Sequence, residues 1–163
     1  LRYFNAAGAD ESGEIGEARE IETHLIPNIL LSVLEKNGSV KVFGTDYPTP
    51  DGTCVRDYIH VEDLARAHML ALDRMSEHEG FEVFNLGNGN GFSVMEVINS
   101  CSRVVGAKIP FISDSRREGD PAELIADSEK ARCLLDWSPR HGELDSIVGS
   151  AWRWHEKFKS GEN

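Results

Sequence analysis

Two features of the sequence predict an α/β fold. Short runs rich in β-branched and aromatic residues alternate with longer runs whose apolar residues recur at helical spacing. Clusters of glycine, proline and aspartate separate these runs, and the sequence contains no internal repeat. Strands that alternate with helices are typical of α/β proteins. The 163 residues are 40% hydrophobic and 28% charged, which is the composition of a globular protein.

The predicted strands and helices alternate along the chain. The strands are expected at residues 1–5, 40–43, 55–60, 81–86 and 109–113. The helices are expected to begin near Leu25, Val61, Val94, Ser128 and Leu144. Lys36-Asn37-Gly38 is predicted to end the first helix, with Gly38 as a left-handed cap, and Ser93-Val-Met-Glu96 is a capping box for the third.

The second helix is predicted to bury one apolar face. The residues of that face recur three and four positions apart, as on the inward side of an amphipathic helix. They are Leu64, Ala65, His68, Ala71, Leu72 and Met75. We therefore expect this face to pack in the core.

The net charge narrows the range of binding partners, and the cysteines indicate the redox compartment. The formal net charge of −11 disfavours nucleic acid and anionic membranes, but it allows an anionic small molecule where basic residues gather. No segment has the length and apolarity of a membrane span. Cys54, Cys101 and Cys133 are far apart and lack metal-ligand spacing. We expect a reduced, cytoplasmic protein without a metal site.

A glycine-rich turn, Gly87-Asn-Gly89-Asn-Gly91, stands between a predicted strand and a predicted helix. A dinucleotide-binding loop has this position, and Asp114 follows at the end of the next strand, where the acid that binds ribose would stand. However, the spacing is G-x-G-x-G, and the bulky Phe92 replaces the third glycine of the true motif. We interpret the segment as a tight turn and a helix cap rather than as a phosphate-binding loop.

The sequence contains no recognisable catalytic motif. G-x-S-x-G, H-E-x-x-H, a P-loop and Y-x-x-x-K are all missing. His60 lies between Asp57 and Asp63, as a general base with an orienting acid would. A histidine at a strand-to-helix junction more often satisfies backbone groups, and we prefer that interpretation. No residue near Cys54 activates its thiol.

The segment Arg116-Arg117-Glu118-Gly119-Asp120 is a candidate anion site. Together with Arg56, its arginines could bind a diphosphate, because guanidinium groups match phosphate oxygens in a bidentate way. Gly119 would allow a tight turn, which leaves Asp120 free to accept hydrogen bonds from ribose hydroxyls. A solvated charge run is the alternative, and the spacing alone does not decide between the two.

Several motifs, taken in order, resemble the C-terminal half of the UDP-glucose 4-epimerases, which are extended short-chain dehydrogenases/reductases. The motifs, which span nearly the whole chain, are Arg2-Tyr-Phe-Asn5, Glu22-Thr-His-Leu-Ile-Pro27, Phe43-Gly-Thr-Asp-Tyr-Pro-Thr-Pro-Asp-Gly-Thr53, Val55-Arg-Asp-Tyr-Ile-His-Val61, Asn85-Leu-Gly87 and Arg116-Arg-Glu-Gly-Asp120. The resemblance implies the C-terminal portion of an extended Rossmann-type fold, with a small mixed sheet and helices.

The resemblance also implies roles for individual residues. The residues implied to bind the UDP-sugar are Asn5, His24, Leu25, Val42, Phe43, Arg56, Arg117, Asp120 and Leu124. Of these, Asn5, Arg56, Arg117 and the amides at His24 and Leu25 face the diphosphate. Val42 and Phe43 line the uracil site, Asp120 binds the ribose, and Leu124 limits the room for a 2-substituent. Tyr3 would lie beside the nicotinamide. His24 stands where some relatives carry asparagine, and Leu124 leaves N-acetylated substrates open.

The activity that the resemblance implies is the interconversion of UDP-glucose and UDP-galactose through a 4-keto intermediate with bound NAD. Residues 1–163 would be the substrate-binding portion, and the NAD-binding Rossmann portion with the Ser/Thr and Y-x-x-x-K residues would precede it. The chain alone is then expected to be inactive and prone to self-association through its first strand. The complete enzyme is expected to be a homodimer. The alternatives are another nucleotide-sugar dehydratase or decarboxylase and a non-catalytic nucleotide-binding module.

Overall fold

The computed structural model describes residues 1–35 and 38–161, which form eight short strands and five helices. The strands are β1 (Arg2–Tyr3), β2 (Asn5–Ala7), β3 (Val40–Phe43), β4 (Val55–His60), β5 (Asn85–Leu86), β6 (Gly91–Ser93), β7 (Phe111–Asp114) and β8 (Glu123–Leu124). The helices are α1 (Leu25–Leu34), α2 (Val61–Glu77), α3 (Val94–Val105), α4 (Glu129–Leu135) and α5 (Leu144–Ser160). The predicted α/β class is confirmed.

The strands form one mixed sheet and two parallel pairs. In the mixed sheet, the second half of β4 pairs in parallel with β2, placing Asn5 opposite Tyr58. The first half of β4 pairs antiparallel with β6 and parallel with β8, so that Arg56 is opposite both Phe92 and Leu124. β1 pairs in parallel with β5, and β3 pairs in parallel with β7. Strand β4 therefore holds Arg56 between two neighbouring strands.

Two hydrophobic clusters stabilise this arrangement. In the larger cluster, α1, α3 and α5 pack together, and Ile29, Leu30, Val97 and Ile147 are fully buried. The smaller cluster joins α2, α4 and β5 around Trp137, which is completely buried and donates its indole N–H to the Asp63 carbonyl at 2.9 Å. Burial of such side chains supplies most of the stability of a domain of this size.

Most boundaries agree with the sequence prediction, and the differences have local causes. The strand expected at residues 1–5 is divided into β1 and β2, which pair with different partners. Within 81–86 only Asn85–Leu86 forms a strand, because β1 offers only two partner residues. Helix α1 ends at Leu34 with Glu35 as its C-cap, whereas Gly38 has a positive φ of 125° but lies beyond the cap. Lys36 and Asn37, the rest of the predicted helix end, lie outside the described residues.

The prediction that α2 buries its apolar face is wrong for most of the residues named. Leu72 is 59% exposed and Met75 is 72% exposed. Leu64 of the predicted face is buried, and the helix also buries Asp63 and Ala67, while it packs against β2, β4 and α4. The sequence pattern found a real apolar face, but the described residues do not cover it. In the described part of the chain, no helix is long and apolar enough to cross a membrane.

Candidate functional site

A cavity of about 510 Å³ opens between the start of α1, strands β2, β3 and β4, and the turn at residues 116–120. Seven residues that the sequence analysis singled out lie along its wall. They are Asn5, His24, Leu25, Phe43, Arg56, Arg117 and Asp120. These residues come from five separate segments of the chain, and the fold gathers them around one space.

The start of α1 lies at the cavity, with His24 and Leu25 in its wall. His24 is the N-cap in an extended conformation, and among the described residues no side chain caps the helix. Amides at such a helix start lack intrahelical partners, and the helix dipole favours an anion beside them. The carboxylate of Glu22 accepts from the amides of Thr23 and His24, and Glu17 contacts the His24 ring nitrogen Nδ1 at 2.7 Å. The His24 amide, which the resemblance implies to face the diphosphate, is therefore already bonded to Glu22.

Arg56 is fixed in the cavity wall by two contacts. Its Nη1 donates to the Val55 carbonyl at 2.6 Å, and its Nη2 donates to Asp120 Oδ1 at 2.6 Å. Only 12% of the Arg56 side chain is exposed. Because the guanidinium carries five N–H donors, other donors remain available to a ligand. Arg56 thus presents a positive charge in a set orientation.

The paired arginines of the 116–120 turn have different environments. The guanidinium of Arg117 lies 4.1 Å from the centre of the Phe43 ring, at the cavity. Arg116 stacks on Tyr47 and donates to Asp46 at 2.7 Å, and it is not part of the cavity wall. The geometry therefore separates the two arginines, which the spacing could not do.

Three of the residues singled out do not line the cavity. Val42 is 1% exposed and packs in the larger cluster, because the alternation of β3 puts its side chain on the opposite face from Lys41 and Phe43. Leu124 is 45% exposed on β8, beside Arg56 in the sheet. Tyr3 is 51% exposed on β1, with its ring edge against His68.

Other lining residues were not found from the sequence. Cys54 and Tyr58 share the face of Arg56, because residues two apart point to the same side of a strand. That alternation was a usable signal. Burial raises the pKa of the Cys54 thiol and of the Tyr58 hydroxyl, so neither is suited to act as an ionised nucleophile. Lys41 also lines the cavity and pairs with Asp114 at 3.3 Å.

The glycine-rich turn does not form a phosphate-binding loop. Its amide groups point to the buried carboxylate of Asp57, which accepts from Asn88 N at 2.7 Å and from Gly89 N at 3.0 Å. Asp57 also accepts from Ala126 N at 3.1 Å. The donors that would hold a phosphate are already satisfied by the protein, and the interpretation as a structural turn is confirmed.

His60 has a structural role at the junction of β4 and α2. Its Nδ1 accepts from Glu62 N at 3.2 Å, its other ring nitrogen contacts Ser150 Oγ at 2.9 Å, and it stacks on His141. Burial lowers its pKa, and the nearby His141 lowers it further. Asp63 accepts from the Arg140 and His141 amides instead of orienting His60. The structural interpretation of His60 is confirmed.

The fold defines an α/β protein with one cavity whose wall holds Arg56 and Arg117. A family model described as the NAD dependent epimerase/dehydratase family matches residues 1–87. The chain belongs to this family.

Comparison with individual proteins gives a consistent result. The chain is 50% identical over 161 residues to the UDP-glucose 4-epimerase of Lactobacillus helveticus and 52% identical to that of Halalkalibacterium halodurans. These alignments cover 99% of the chain, but 49% and 48% of the relatives. The structure of the Bifidobacterium longum UDP-glucose 4-epimerase in complex with NAD+ and UDP superposes with a TM-score of 0.92 at 42% identity, covering 99% of this chain and 48% of that one.

The chain thus spans about half the length of the curated relatives it matches. The predicted resemblance to the UDP-glucose 4-epimerases and the predicted fold class are both confirmed.

Proposed function

We propose that the whole protein is an NAD-dependent UDP-glucose 4-epimerase and that residues 1–163 supply its UDP-sugar site. One observation carries the proposal. Arg56 and Arg117 line a single cavity together with Leu25 at the start of α1. Guanidinium groups and helix amides are the donors that bind diphosphates in proteins. The relatives named UDP-glucose 4-epimerase support the choice of UDP-sugar.

The two arginines bind the diphosphate in this proposal. Arg56 is immobilised by Asp120 and by its own backbone, so little conformational entropy is lost when a phosphate binds. Arg117 lines the same cavity from its position over Phe43. Although the chain carries a net charge of −11, these arginines and Lys41 concentrate positive charge where the phosphates bind.

The remaining lining residues orient the nucleoside. Asp120 accepts hydrogen bonds from the ribose hydroxyls, and β3 lines the uracil with its backbone and with Phe43. The side-chain amide of Asn5 donates to the Asp57 carbonyl at 2.8 Å, which fixes it beside the diphosphate with one N–H left to donate. All of these contacts hold the UDP portion, so the hexose is free to turn within the site, as 4-epimerisation requires.

NAD supplies the hydride acceptor and donor for this reaction when it is bound. The described residues do not form its main site, because Asp57 occupies the amides of the glycine-rich turn. We propose that a Rossmann portion of the whole protein, N-terminal to residues 1–163, binds NAD and supplies the catalytic Ser/Thr, Tyr and Lys. In that arrangement the exposed Tyr3 lies beside the nicotinamide.

Kinetics of the whole protein with UDP-galactose test the proposal. Arg117→Ala removes a charged hydrogen-bond donor worth about 1.5–3 kcal/mol, so KM should rise about 10- to 100-fold. Arg116→Ala is the matched control, since Arg116 faces Tyr47 and Asp46 and should leave KM within about twofold. Absence of epimerase activity in the whole protein, or equal effects of the two substitutions, would contradict the proposal.

Product analysis separates the alternatives. A nucleotide-sugar dehydratase or decarboxylase would release a 4-keto or shortened sugar instead of UDP-glucose, and a non-catalytic module would return UDP-galactose unchanged. We also propose that the whole protein is a cytoplasmic homodimer. The free thiols of Cys54, Cys101 and Cys133 support a reducing compartment.

A further inference from the structure

The imidazole ring of His24 stands at the cavity with one of its nitrogens held by an acidic partner. Nδ1 lies 2.7 Å from Glu17 Oε1 and 3.7 Å from Glu22 Oε1. Because an ionised carboxylate only accepts hydrogen bonds, Nδ1 carries the proton of its bond to Glu17. The His24 side chain is 47% exposed and lines the cavity beside Leu25. The second ring nitrogen, Nε2, is therefore the one that can meet a ligand.

Glu17 is fixed by two further contacts. Its Oε1 also accepts from Arg19 Nε at 2.8 Å, and its backbone carbonyl accepts from Trp154 Nε1 at 2.8 Å. Trp154 is only 6% exposed and belongs to α5, which packs against α1. The hydrogen bond at one ring nitrogen of a histidine decides which nitrogen is left for a ligand. Glu17 is thus anchored to the core and sets the tautomer of His24.

The two carboxylates beside His24 are unfavourable neighbours for a diphosphate, because like charges in one site repel each other. A neutral His24 ring does not relieve this conflict. Its Nε2 would be an acceptor, and phosphate oxygens are acceptors as well. An imidazolium instead donates from both nitrogens, from Nδ1 to Glu17 and from Nε2 to a phosphate oxygen. The protonated ring therefore separates the carboxylates from the diphosphate and satisfies both.

We infer that binding of the UDP-sugar takes up a proton on His24, whose imidazolium joins Glu17 to the diphosphate. This inference rests on the proposed function and concerns the side chain of His24, whose amide is already bonded to Glu22. In the empty site the cationic groups across the cavity oppose the protonation of His24, and the charges of the diphosphate offset them in the complex. The charged residues that line the cavity with His24 are Lys41, Arg56, Arg117 and Asp120.

His155 is the other histidine near the same acids. Burial lowers its pKa, while Glu17 and Glu22 act in the opposite direction. Since His155 lies on α5 and is only 4% exposed, it does not reach a ligand in the cavity, but it could exchange a proton when the charges nearby change. An experiment must therefore show which of the two rings is protonated.

Calorimetry of the whole, NAD-loaded protein measures the proton uptake. The ligand is an equilibrated mixture of UDP-glucose and UDP-galactose, so turnover adds no heat and no terminal phosphate titrates near neutral pH. Titrations at pH 7.5 in buffers of different ionisation enthalpy should show an uptake of about 0.3 proton or more. His24→Gln should still bind the ligand, more weakly, and without this uptake. Binding without proton uptake, or uptake that persists in His24→Gln, would overturn the inference.

Nitrogen-15 spectra of the histidine rings in the same protein locate the proton. The His24 signals are assigned by their loss in His24→Gln. On addition of the UDP-sugar mixture, Nε2 of His24 should move from the range of a neutral imidazole toward that of an imidazolium. A corresponding shift of the His155 ring with His24 unchanged would overturn the inference.

The pH dependence of affinity gives an independent test of Glu17 as the positioning residue. An imidazole ordinarily titrates at about pH 6.5, so the affinity should fall as the pH rises from about 6.5 to about 8.5, by at most about tenfold per pH unit. Glu17→Gln removes the carboxylate that stabilises the imidazolium, and the fall should then begin at a lower pH. Glu20→Gln, at an exposed position of the same loop, is the matched control and should keep the original profile.

Identical pH profiles for Glu17→Gln and Glu20→Gln would contradict the role of Glu17. The outcomes also separate the two proposals. Binding of the UDP-sugar without proton uptake refutes this inference alone, whereas failure of the whole protein to bind a UDP-sugar refutes the proposed function as well.

Discussion

Arg56 and Asp120 form an ion pair in the wall of the cavity, with Arg56 Nη2 at 2.6 Å from Asp120 Oδ1. The two residues are 64 positions apart and come from β4 and from the turn that follows β7. The ion pair joins the residue assigned to the diphosphate with the residue assigned to the ribose. Asp120 therefore has two partners in the proposed complex, and its loss should affect both parts of the nucleotide.

Asp120→Asn should weaken UDP binding more than uridine binding. Uridine reports only the lost ribose contact, whereas UDP also reports the loosened Arg56. We expect the affinity for UDP to fall about fivefold more than the affinity for uridine, which is a difference of about 1 kcal/mol in binding free energy. Calorimetry with both ligands measures the difference. In an Arg56→Ala background the additional loss should disappear, because the two residues would no longer be coupled. Equal losses for UDP and uridine would show that Asp120 acts on the ribose alone.

Asp57→Asn should destabilise the fold. The buried carboxylate accepts three backbone N–H bonds, and an asparagine amide would direct its own donors at some of these groups. Loss of such bonds costs about 2–4 kcal/mol. Urea unfolding measures this cost, with Asp73→Asn on the exposed side of α2 as the control. Similar unfolding free energies for the two variants would refute this role of Asp57.

The same aspartate shows what could and could not be predicted from the sequence. The local pattern identified β3, β4 and the capping box of α3, because these depend on neighbouring residues. It also rejected the glycine-rich turn as a dinucleotide loop, but it did not identify Asp57 as the acceptor for its amides. That contact spans more than 30 residues.

Long-range packing also explains the other differences. Leu72 and Met75 recur at helical spacing on α2 but are exposed, because the buried side of α2 is decided by its packing against β2, β4 and α4. Arg116 and Arg117 are adjacent and chemically identical, so only their contacts with Tyr47 and Phe43 separate them.

Stability should fall as the pH decreases from about 7 to about 5. Burial lowers the pKa of His155 and of His60, so the unfolded chain binds protons that the folded chain rejects. The free energy of unfolding therefore declines below the ordinary histidine pKa of 6.5. The lowered pKa values of carboxyl groups, such as that of Asp145, change the free energy of unfolding only at lower pH, below 3.8.

Urea unfolding at several pH values tests this account of the histidines. His155→Gln should reduce the slope of the unfolding free energy against pH by up to about 1.4 kcal/mol per pH unit. His78→Gln, at an exposed position, is the control and should leave this slope unchanged. An unchanged slope in His155→Gln would contradict the expectation.

The three cysteines should react at different rates. Cys133 is exposed, whereas Cys54 and Cys101 are buried, and burial raises the pKa of Cys101 to about 12. Because the thiolate is the reactive form, a thiol reagent should modify Cys133 rapidly in the native chain and the other two only on unfolding. Mass spectrometry after brief labelling identifies the sites. Rapid labelling of Cys101 in the native state would show that the larger cluster is open.

Calorimetric titration of UDP into the 163-residue chain tests the central claim most directly. NAD is the control ligand, and Arg117→Ala and Arg116→Ala are the paired variants. UDP should bind the chain, and NAD should give no signal. Arg117→Ala should lower the affinity for UDP about tenfold or more, whereas Arg116→Ala should leave that affinity unchanged. Binding of UDP to Arg117→Ala with undiminished affinity would contradict the account, because the ligand would then lie outside the cavity that Arg56, Arg117 and α1 enclose.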